Sequence, residues 1–457
     1  MITEVLILAA GKGTKFWPYQ STRNKTMIPI SNTPLLVHSV NVLLLAKIDH
    51  VVIVSMTHSE SIRHAFRKVT EVDVLHLEAS KGSADSLSQG IAKLHHPEKP
   101  FLVLQGDCLV QPEDLHDFLK QGLIDTVLVS PLREPATHWI ACSLKNGAIE
   151  SFGGHHRGTT MTHQMVAFIT DGRFKTVCDV NPGKFTNLKV GVGSPEESYI
   201  EVSLMDLISD GHVLRAIETK QPVFDIDKPW HALSANAWVN MKRCAQLTQN
   251  ELSEGAVIDP SARIEGFVRL GKNSVIGKNV WIQGNVIIGD ETIIDQGAVI
   301  GENTVIGDQC SILNHAKIGG MASLGNKCMM DQGFEVLNGL IMDHVYMVHY
   351  GEYYGMIGEN TDLGAGTTCG TLRFDDGLTP QNVKGHRELP ANFANASYIG
   401  DNCRTGVCAI LMPGVKVGTS SVVGSGVVLY EDLPDNTLVY AKQDLVKTGW
   451  GPNKYGW

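Results

Sequence analysis

No excess of basic residues marks this chain: 38 Lys and Arg stand against 48 Asp and Glu, a formal charge of −10. That balance argues against nucleic acid as a partner and leaves only local basic sites for small phosphates. No run approaches the ~20 consecutive apolar residues of a membrane span, so no membrane partner is expected. The nine cysteines are scattered, with no CxxC pair and no Cys/His group at zinc spacing, and they read as small core residues of a reduced protein. No basic, apolar leader precedes the first strand-like run, Val5-Leu6-Ile7-Leu8, and the expected location is cytoplasmic. Aromatics are sparse at 7 %, whereas 46 glycines call for a fold with many tight turns.

Two hydrophobic periods divide the 457 residues. Over 1–240, short apolar strands alternate with helical patterns: strands at Val5 to Ala9, Val51 to Ser55 and Phe101 to Leu104, helices at Leu35 to Ala46, Leu87 to Leu94 and from Pro112. Such alternation predicts βαβ units, a Rossmann-like α/β domain with a mostly parallel sheet, and ligands at the carboxyl ends of its strands. From Ile258 a step of six meets Ile264, Leu270, Ile276, Ile282, Ile288, Ile294, Ile300, Ile306, Ile312, Ile318 and Leu324 without a miss. A six-residue repeat predicts an all-β hexapeptide β-helix, aliphatic side chains inside and the following glycines, such as Gly277 and Gly289, relaxing the corners. The repeat covers 255–430, with an inserted loop at 364–398 and one miss at Thr405. Residues 241–254 read as a helical linker and 431–457 as a C-terminal cap.

At the end of the first strand lies Leu8-Ala9-Ala10-Gly11-Lys12-Gly13-Thr14-Lys15, whose glycines let backbone N–H groups converge on an anion. A dinucleotide fingerprint would need Gly where Phe16 stands, and a Walker A loop needs a different spacing, so both fail. Lys25 follows in Asn24-Lys25-Thr26-Met27-Ile28-Pro29, then come Gly82-Ser83-Ala84-Asp85, Gln105-Gly106-Asp107, and Phe224-Asp225-Ile226-Asp227-Lys228-Pro229-Trp230.

In this order, the set resembles the sugar-1-phosphate nucleotidylyltransferases, and with the hexapeptide half it is similar to the bifunctional bacterial and archaeal enzymes that add an acetyltransferase on a left-handed β-helix. The resemblance implies a nucleotide site at Leu8, Ala9, Ala10, Gly11, Gly13, Thr14, Lys15, Gly82, Ser83 and Asp107. It implies Mg²⁺ on Asp107 and Asp225, and catalytic cations at Lys15, which replaces the family's Arg, and at Lys25. It also implies a homotrimer. The reaction joins a nucleoside triphosphate to a sugar-1-phosphate or related phosphorylated acceptor and releases pyrophosphate. Its acceptor phosphate is largely dianionic at neutral pH, so aligned cations rather than a general base carry the catalysis.

On the acceptor side the chain departs from the family. His163-Gln164 stands where the family has Asn, and Glu150 to Arg157 replaces its acidic segment, so Lys25, His163 and Gln164 are the candidate acceptor contacts. This replacement predicts that common hexose 1-phosphates are poor acceptors. No residue selects among uridine, thymidine, cytidine and guanosine triphosphates. In the second half, Gly364-Ala365-Gly366-Thr367 and His349-Tyr350 resemble the acetyltransferase loop and base, with Thr371 where the loop has Asn. Two alternatives therefore stand beside nucleotidyl transfer: added acyl transfer with His349 as base, or a non-catalytic subunit that binds a nucleotide-sugar.

Overall fold

Alternate residues of the first strand, Glu4–Ala9, face opposite cores. Val5 and Ile7 pack with Leu36, Val40 and Phe118, whereas Leu6 packs with Leu87 and Ile91. The computed structural model describes residues 2–133, 139–154, 161–181 and 197–455. Its first sheet has nine strands in the spatial order Val72–His76, His50–Ser55, Glu4–Ala9, Phe101–Gln105, His163–Thr170, Thr126–Pro131, Arg215–Glu218, Ala148–Gly154 and Ile140–Lys145. The first four are mutually parallel, and helices cover both faces. Beyond them the sheet is mixed rather than mostly parallel, because His163–Thr170 runs antiparallel to both neighbours. The hairpin at the far edge turns through Asn146 and Gly147, both left-handed, a type of turn that needs no crossover helix. The helix expected from Leu87 spans Ser83–Ile91, starting directly after Gly82.

The second half is a left-handed parallel β-helix. Val268–Leu270 pairs with Val286–Ile288, which pairs with Thr304–Ile306, so one coil takes 18 residues, three hexads. The repeat runs further than its aliphatic signature. Met330, Val336, Ile341, Met347 and Tyr353 occupy the same inward position after Leu324, and Cys369 follows Leu363. The glycines after the inward residues do not supply the left-handed corners; Asn273, Asn279 and Asn303 do. Gly277 is needed for coil-to-coil approach, since a Cβ there would lie 2.2 Å from Asp295 Oδ1 on the next coil. Thr405 is tolerated inside because its hydroxyl meets Thr367 Oγ1 at 2.6 Å and accepts from the Gly364 N–H at 3.0 Å.

Three boundaries differ from the sequence expectation. Helical structure ends at Cys244 in the helix Pro229–Cys244, and the chain ahead of the coils carries the strand Glu251–Leu252 instead. Thr368–Cys369 still pairs with Ile410–Leu411, so the insertion leaves the coil only after Cys369 and rejoins it at Ser397–Ile399. The last coil is closed by buried Leu433 and the strand Leu438–Val439, with Tyr440 against Gly424, while 441–449 run exposed.

The two halves share a core. Phe16, Tyr19, Ile28 and Trp230 pack with Leu340, Met356 and Tyr398, and the Tyr19 hydroxyl donates to the Met356 carbonyl at 2.8 Å. Asn32 and Asn240 donate to the carbonyls of Leu324 and Ala322 at 2.7 and 2.9 Å. No helix is long and apolar enough to cross a membrane among the described residues.

Candidate active site

The parallel strands Glu4–Ala9 and Phe101–Gln105 end side by side, and the turns that follow them form one wall of a cleft of about 680 Å³. Gly13 adopts φ 62°, with the Lys25 Cβ only 3.2 Å from where a side chain would begin, so this turn admits glycine. Gly106 approaches the first strand closely: its N–H donates to the Leu8 carbonyl at 2.9 Å, and a Cβ would collide with that oxygen at 2.8 Å. This contact sets Asp107 at the mouth of the cleft. The short strand Phe224–Asp225 pairs antiparallel with Cys108–Leu109, and the Ile226 N–H donates to the Asp107 carbonyl at 2.8 Å. Two aspartates 118 positions apart are thereby brought together, with carboxylate oxygens and the Cys108 sulfur all within 4.8 Å of one another.

A lattice of charges surrounds this pair. Lys25 Nζ donates to Asp107 Oδ2 at 2.7 Å and lies 3.8 Å from Asp227 Oδ1. Lys15 Nζ donates to Asp227 Oδ2 at 3.0 Å, and fully buried Lys228 sits 3.4 Å from the same oxygen. Burial disfavours the Lys25 ammonium, but Asp107, Asp227 and Asp225 outweigh it and hold its pKa above the usual lysine value. Burial likewise opposes the Asp227 carboxylate, yet Lys25, Lys15 and Lys228 keep it well below the ordinary range. Asp225 goes the other way: burial, reinforced by neighbouring Asp107, pushes its carboxyl well above the usual value. An under-compensated pair of hard oxygen donors fits a divalent cation. The Cys108 thiol, raised by burial and by both aspartates, remains protonated beside them.

Most of the residues expected from the sequence meet here. Leu8, Ala10, Gly11, Gly13, Thr14, Lys15, Lys25, Gly82, Ser83, Asp107 and Asp225 all line the cleft. Ala9 does not, because it points into the core between sheet and helices. His163 and Gln164 are also absent from the lining. His163 Nε2 lies 3.1 Å from Glu218 Oε2, and Gln164 is buried, while Met165 and Ala167 on the same strand face the cleft. His155 and His156 of the replaced segment lie outside the described residues. Glu197, Tyr199 and Glu201 line the cleft with no motif to announce them, so carboxylates stand in its wall beside the residues expected from the sequence. Asp227, which lines the cleft, and Lys228, beside it, are also at the site although the sequence singled out neither within the Asp225-Ile226-Asp227-Lys228 run. Asp227 follows the strand Phe224–Asp225 by two residues, and its place beside Lys15 and Lys25 is set by the fold rather than by a strand period. His349 lies on the β-helix, exposed, next to Tyr350, whose carbonyl accepts from the Gly366 N–H at 2.7 Å.

Residues 4–124 match the nucleotidyl transferase family, 251–345 the GMPPB C-terminal domain, and 398–431 the hexapeptide repeat of succinyl-transferase. The bifunctional protein GlmU of Methanococcus maripaludis (strain C7) is 31 % identical over 461 residues, covering 97 % of this chain and 99 % of its own. The bifunctional sugar-1-phosphate nucleotidylyltransferase/acetyltransferase of Sulfurisphaera tokodaii is 26 % identical and covers 94 % of this chain and 98 % of its own. Among solved structures, a putative glucose-1-phosphate thymidylyltransferase from Bacillus anthracis aligns with a TM-score of 0.44 at 16 % identity, covering 51 % of this chain and 94 % of its own. With 31 % identity sustained from end to end, through both the nucleotidyl transferase half and the hexapeptide half, the chain belongs to the family of the bifunctional GlmU proteins.

Proposed function

We propose that this chain joins a nucleoside triphosphate to a sugar-1-phosphate or related phosphorylated acceptor, releasing pyrophosphate, at the cleft of its first half. The observation that carries the reading is the meeting of Asp107, Asp225 and Lys25 at the mouth of a glycine turn. An acceptor phosphate oxygen attacks the α-phosphorus in line as pyrophosphate leaves, a step that needs charge neutralised and two anions aligned. The turn 11–14 lines the cleft and is assigned to the triphosphate, with its backbone N–H groups as donors. Lys15 and Lys25, held by Asp227, present fixed cations without reorganising during the reaction. Family members of this type use a divalent metal. We assign Mg²⁺ to Asp107 and Asp225, where it would neutralise phosphate charge and orient the attacked phosphate. A pyrophosphate-release screen of UTP, dTTP, CTP and GTP against a panel of sugar 1-phosphates tests the assignment. Release with at least one pair is expected; none with any pair would overturn it.

The same reading includes a cytoplasmic homotrimer built on the β-helix. Of the three β-helix faces, one packs Ile287 and Val305 against Cys244 and Leu247, and another presents Arg263, Trp281, Val299, Lys317 and Glu335, three of them charged. The third shows an outward stripe of Val257, Val275, Ile293, Met329 and Tyr346 in consecutive register, interrupted by Ser311, and most of these are exposed. A stripe of that length suits a copy of the same chain. Light scattering is expected to give three times 49.7 kDa, and Ile293→Lys to lower that mass. A monomeric wild type at micromolar concentration would refute the assembly.

A second reading adds acyl transfer on the β-helix. It is favoured by the contact between His349-Tyr350 and the Gly364 to Thr367 loop, which consecutive coils bring together. With acetyl-coenzyme A and an amino sugar phosphate, His349→Ala should cut thiol release by roughly 10²-fold or more and leave pyrophosphate release unchanged. No thiol release from the wild type removes this reading and leaves the first intact.

A further inference from the structure

The chain that leaves the β-helix after Cys369 does not form a free loop. It folds into a hairpin, Gln381–Val383 against His386–Glu388, turning through Lys384 at φ 51° and Gly385 at φ 82°. Four contacts fix its direction. Val383 is buried in the core shared by the two halves, beside Trp230. Gln381 Nε2 donates to the Ala394 carbonyl at 2.8 Å, and Lys416 Nζ donates to the Asn382 carbonyl at 2.6 Å. Glu388 Oε2 lies 3.1 Å from Lys228 Nζ, the ammonium that also neighbours Asp227. The hairpin is thereby tied to the residues that hold the catalytic lysines, and its tip reaches the cleft. Among the described lining residues, Lys384 alone comes from beyond position 227.

Lys15 and Lys25 of the lining, and Lys228 behind them, are paired with Asp107, Asp227 or Glu388. Lys384, like Lys12 and Lys81 of the first half, has no carboxylate within ion-pair distance among the described residues, but it alone of the three is carried to the cleft by the β-helix half. Its backbone conformation also costs something. A two-residue hairpin turn with φ positive at both positions favours Asn or Gly first, and lysine fills that place here. An unpaired ammonium held over a triphosphate site by a fixed hairpin suits one ligand chemistry, a phosphate oxyanion.

We propose that Lys384 binds a substrate phosphate, so that the β-helix half supplies a binding residue to the nucleotidyl-transfer site of the same chain. The inference rests on the nucleotidyl-transfer reading for its substrate. The phosphate belongs either to the triphosphate or to the acceptor, and kinetics separates the two sources.

Full-length Lys384→Ala and Lys384→Arg are compared with wild type, with each substrate varied at saturation of the other. Lys384→Ala is expected to raise one KM about ten-fold, the effect of one charge-assisted hydrogen bond, with kcat within three-fold, and Lys384→Arg to restore most of it. Which KM moves identifies the phosphate. Salt should raise that KM less in Lys384→Ala than in wild type, a difference that a merely structural role would not produce. Both KM values within two-fold of wild type would overturn the proposal. Calorimetric titration with inorganic pyrophosphate and with glucose 1-phosphate reads the contact without turnover. Lys384→Ala should weaken at least one about ten-fold, and unchanged affinities, or no binding of either by wild type at millimolar concentration, would overturn it. A wild type that binds these probes and transfers no nucleotide would sink the nucleotidyl-transfer reading and leave the Lys384 contact standing.

Discussion

Asp107→Ala and Asp225→Ala are each expected to lower kcat by roughly 10³-fold or more, the scale of losing a preorganised group that stabilises charge in the transition state. The two carboxylates share one small volume with the Cys108 sulfur, and that sulfur is neutral and soft, so neither aspartate has a substitute in the cluster. The structure also predicts that stability and activity separate at position 225. Burial and Asp107 raise the Asp225 carboxyl pKa in the fold above its unfolded value. Its ionised form is therefore disfavoured by folding, and the penalty is present above the unfolded pKa and grows as pH rises through the folded one. Asp225→Asn removes that penalty, so at neutral pH it should melt no lower than wild type while losing turnover. Calorimetric titration with Mn²⁺ should show weakened binding in both alanine variants. Wild-type turnover from either purified variant would defeat the assignment of this pair.

The architecture was legible because both halves carry their period on the surface of the sequence, and the places where the reading stopped have physical causes. Inward positions of a β-helix select volume and apolarity rather than branching, so Met330, Met347, Tyr353 and Cys369 continue a series that a search for Ile, Leu and Val loses. Glycine was assigned to the corners because its freedom at positive φ is its best-known use. In the coils, Gly277 and its equivalents answer the 18-residue stacking instead, a constraint invisible in one dimension. The glycine turn, Lys25, Asp107 and Asp225 could be read because they stand in local motifs. Lys384, Glu197 and Glu201 could not, because each reaches the cleft from an element whose path only the folded chain reveals. His163 shows the converse error. Its position in the sequence was right for the strand, but its imidazole is engaged by Glu218, two strands away across Thr126–Pro131, and His163 does not line the cleft.

Docking of the two halves leads to the second large effect, at Arg23. This side chain lies two residues before Lys25 and crosses to the β-helix, with Nη2 2.6 Å from Asp401 Oδ1 and Nη1 2.9 Å from Glu359 Oε1. Asp401 is 2 % exposed, so it cannot recover the lost cation from solvent. Arg23→Ala leaves it buried and unpaired, and loss of one partner from such a pair typically costs about 3–5 kcal/mol. The Glu359 arm adds little, because that carboxylate is 43 % exposed and screened by water. Lysine is not an adequate replacement, since a single ammonium cannot span two carboxylates with the planar fork of a guanidinium. The shared core, with Tyr19 bonded to Met356, is expected to couple the melting of the halves in wild type. Arg23→Ala is expected to split a single calorimetric transition into two, with the first half melting earlier, and Arg23→Lys to lie between. Asp401→Asn in the Arg23→Ala background should restore part of the loss, because it removes the stranded charge and keeps an oxygen for the Glu359 N–H, now 2.7 Å from Asp401 Oδ1. Melting of Arg23→Ala within one degree of wild type in one transition would show that apolar packing alone holds the halves together.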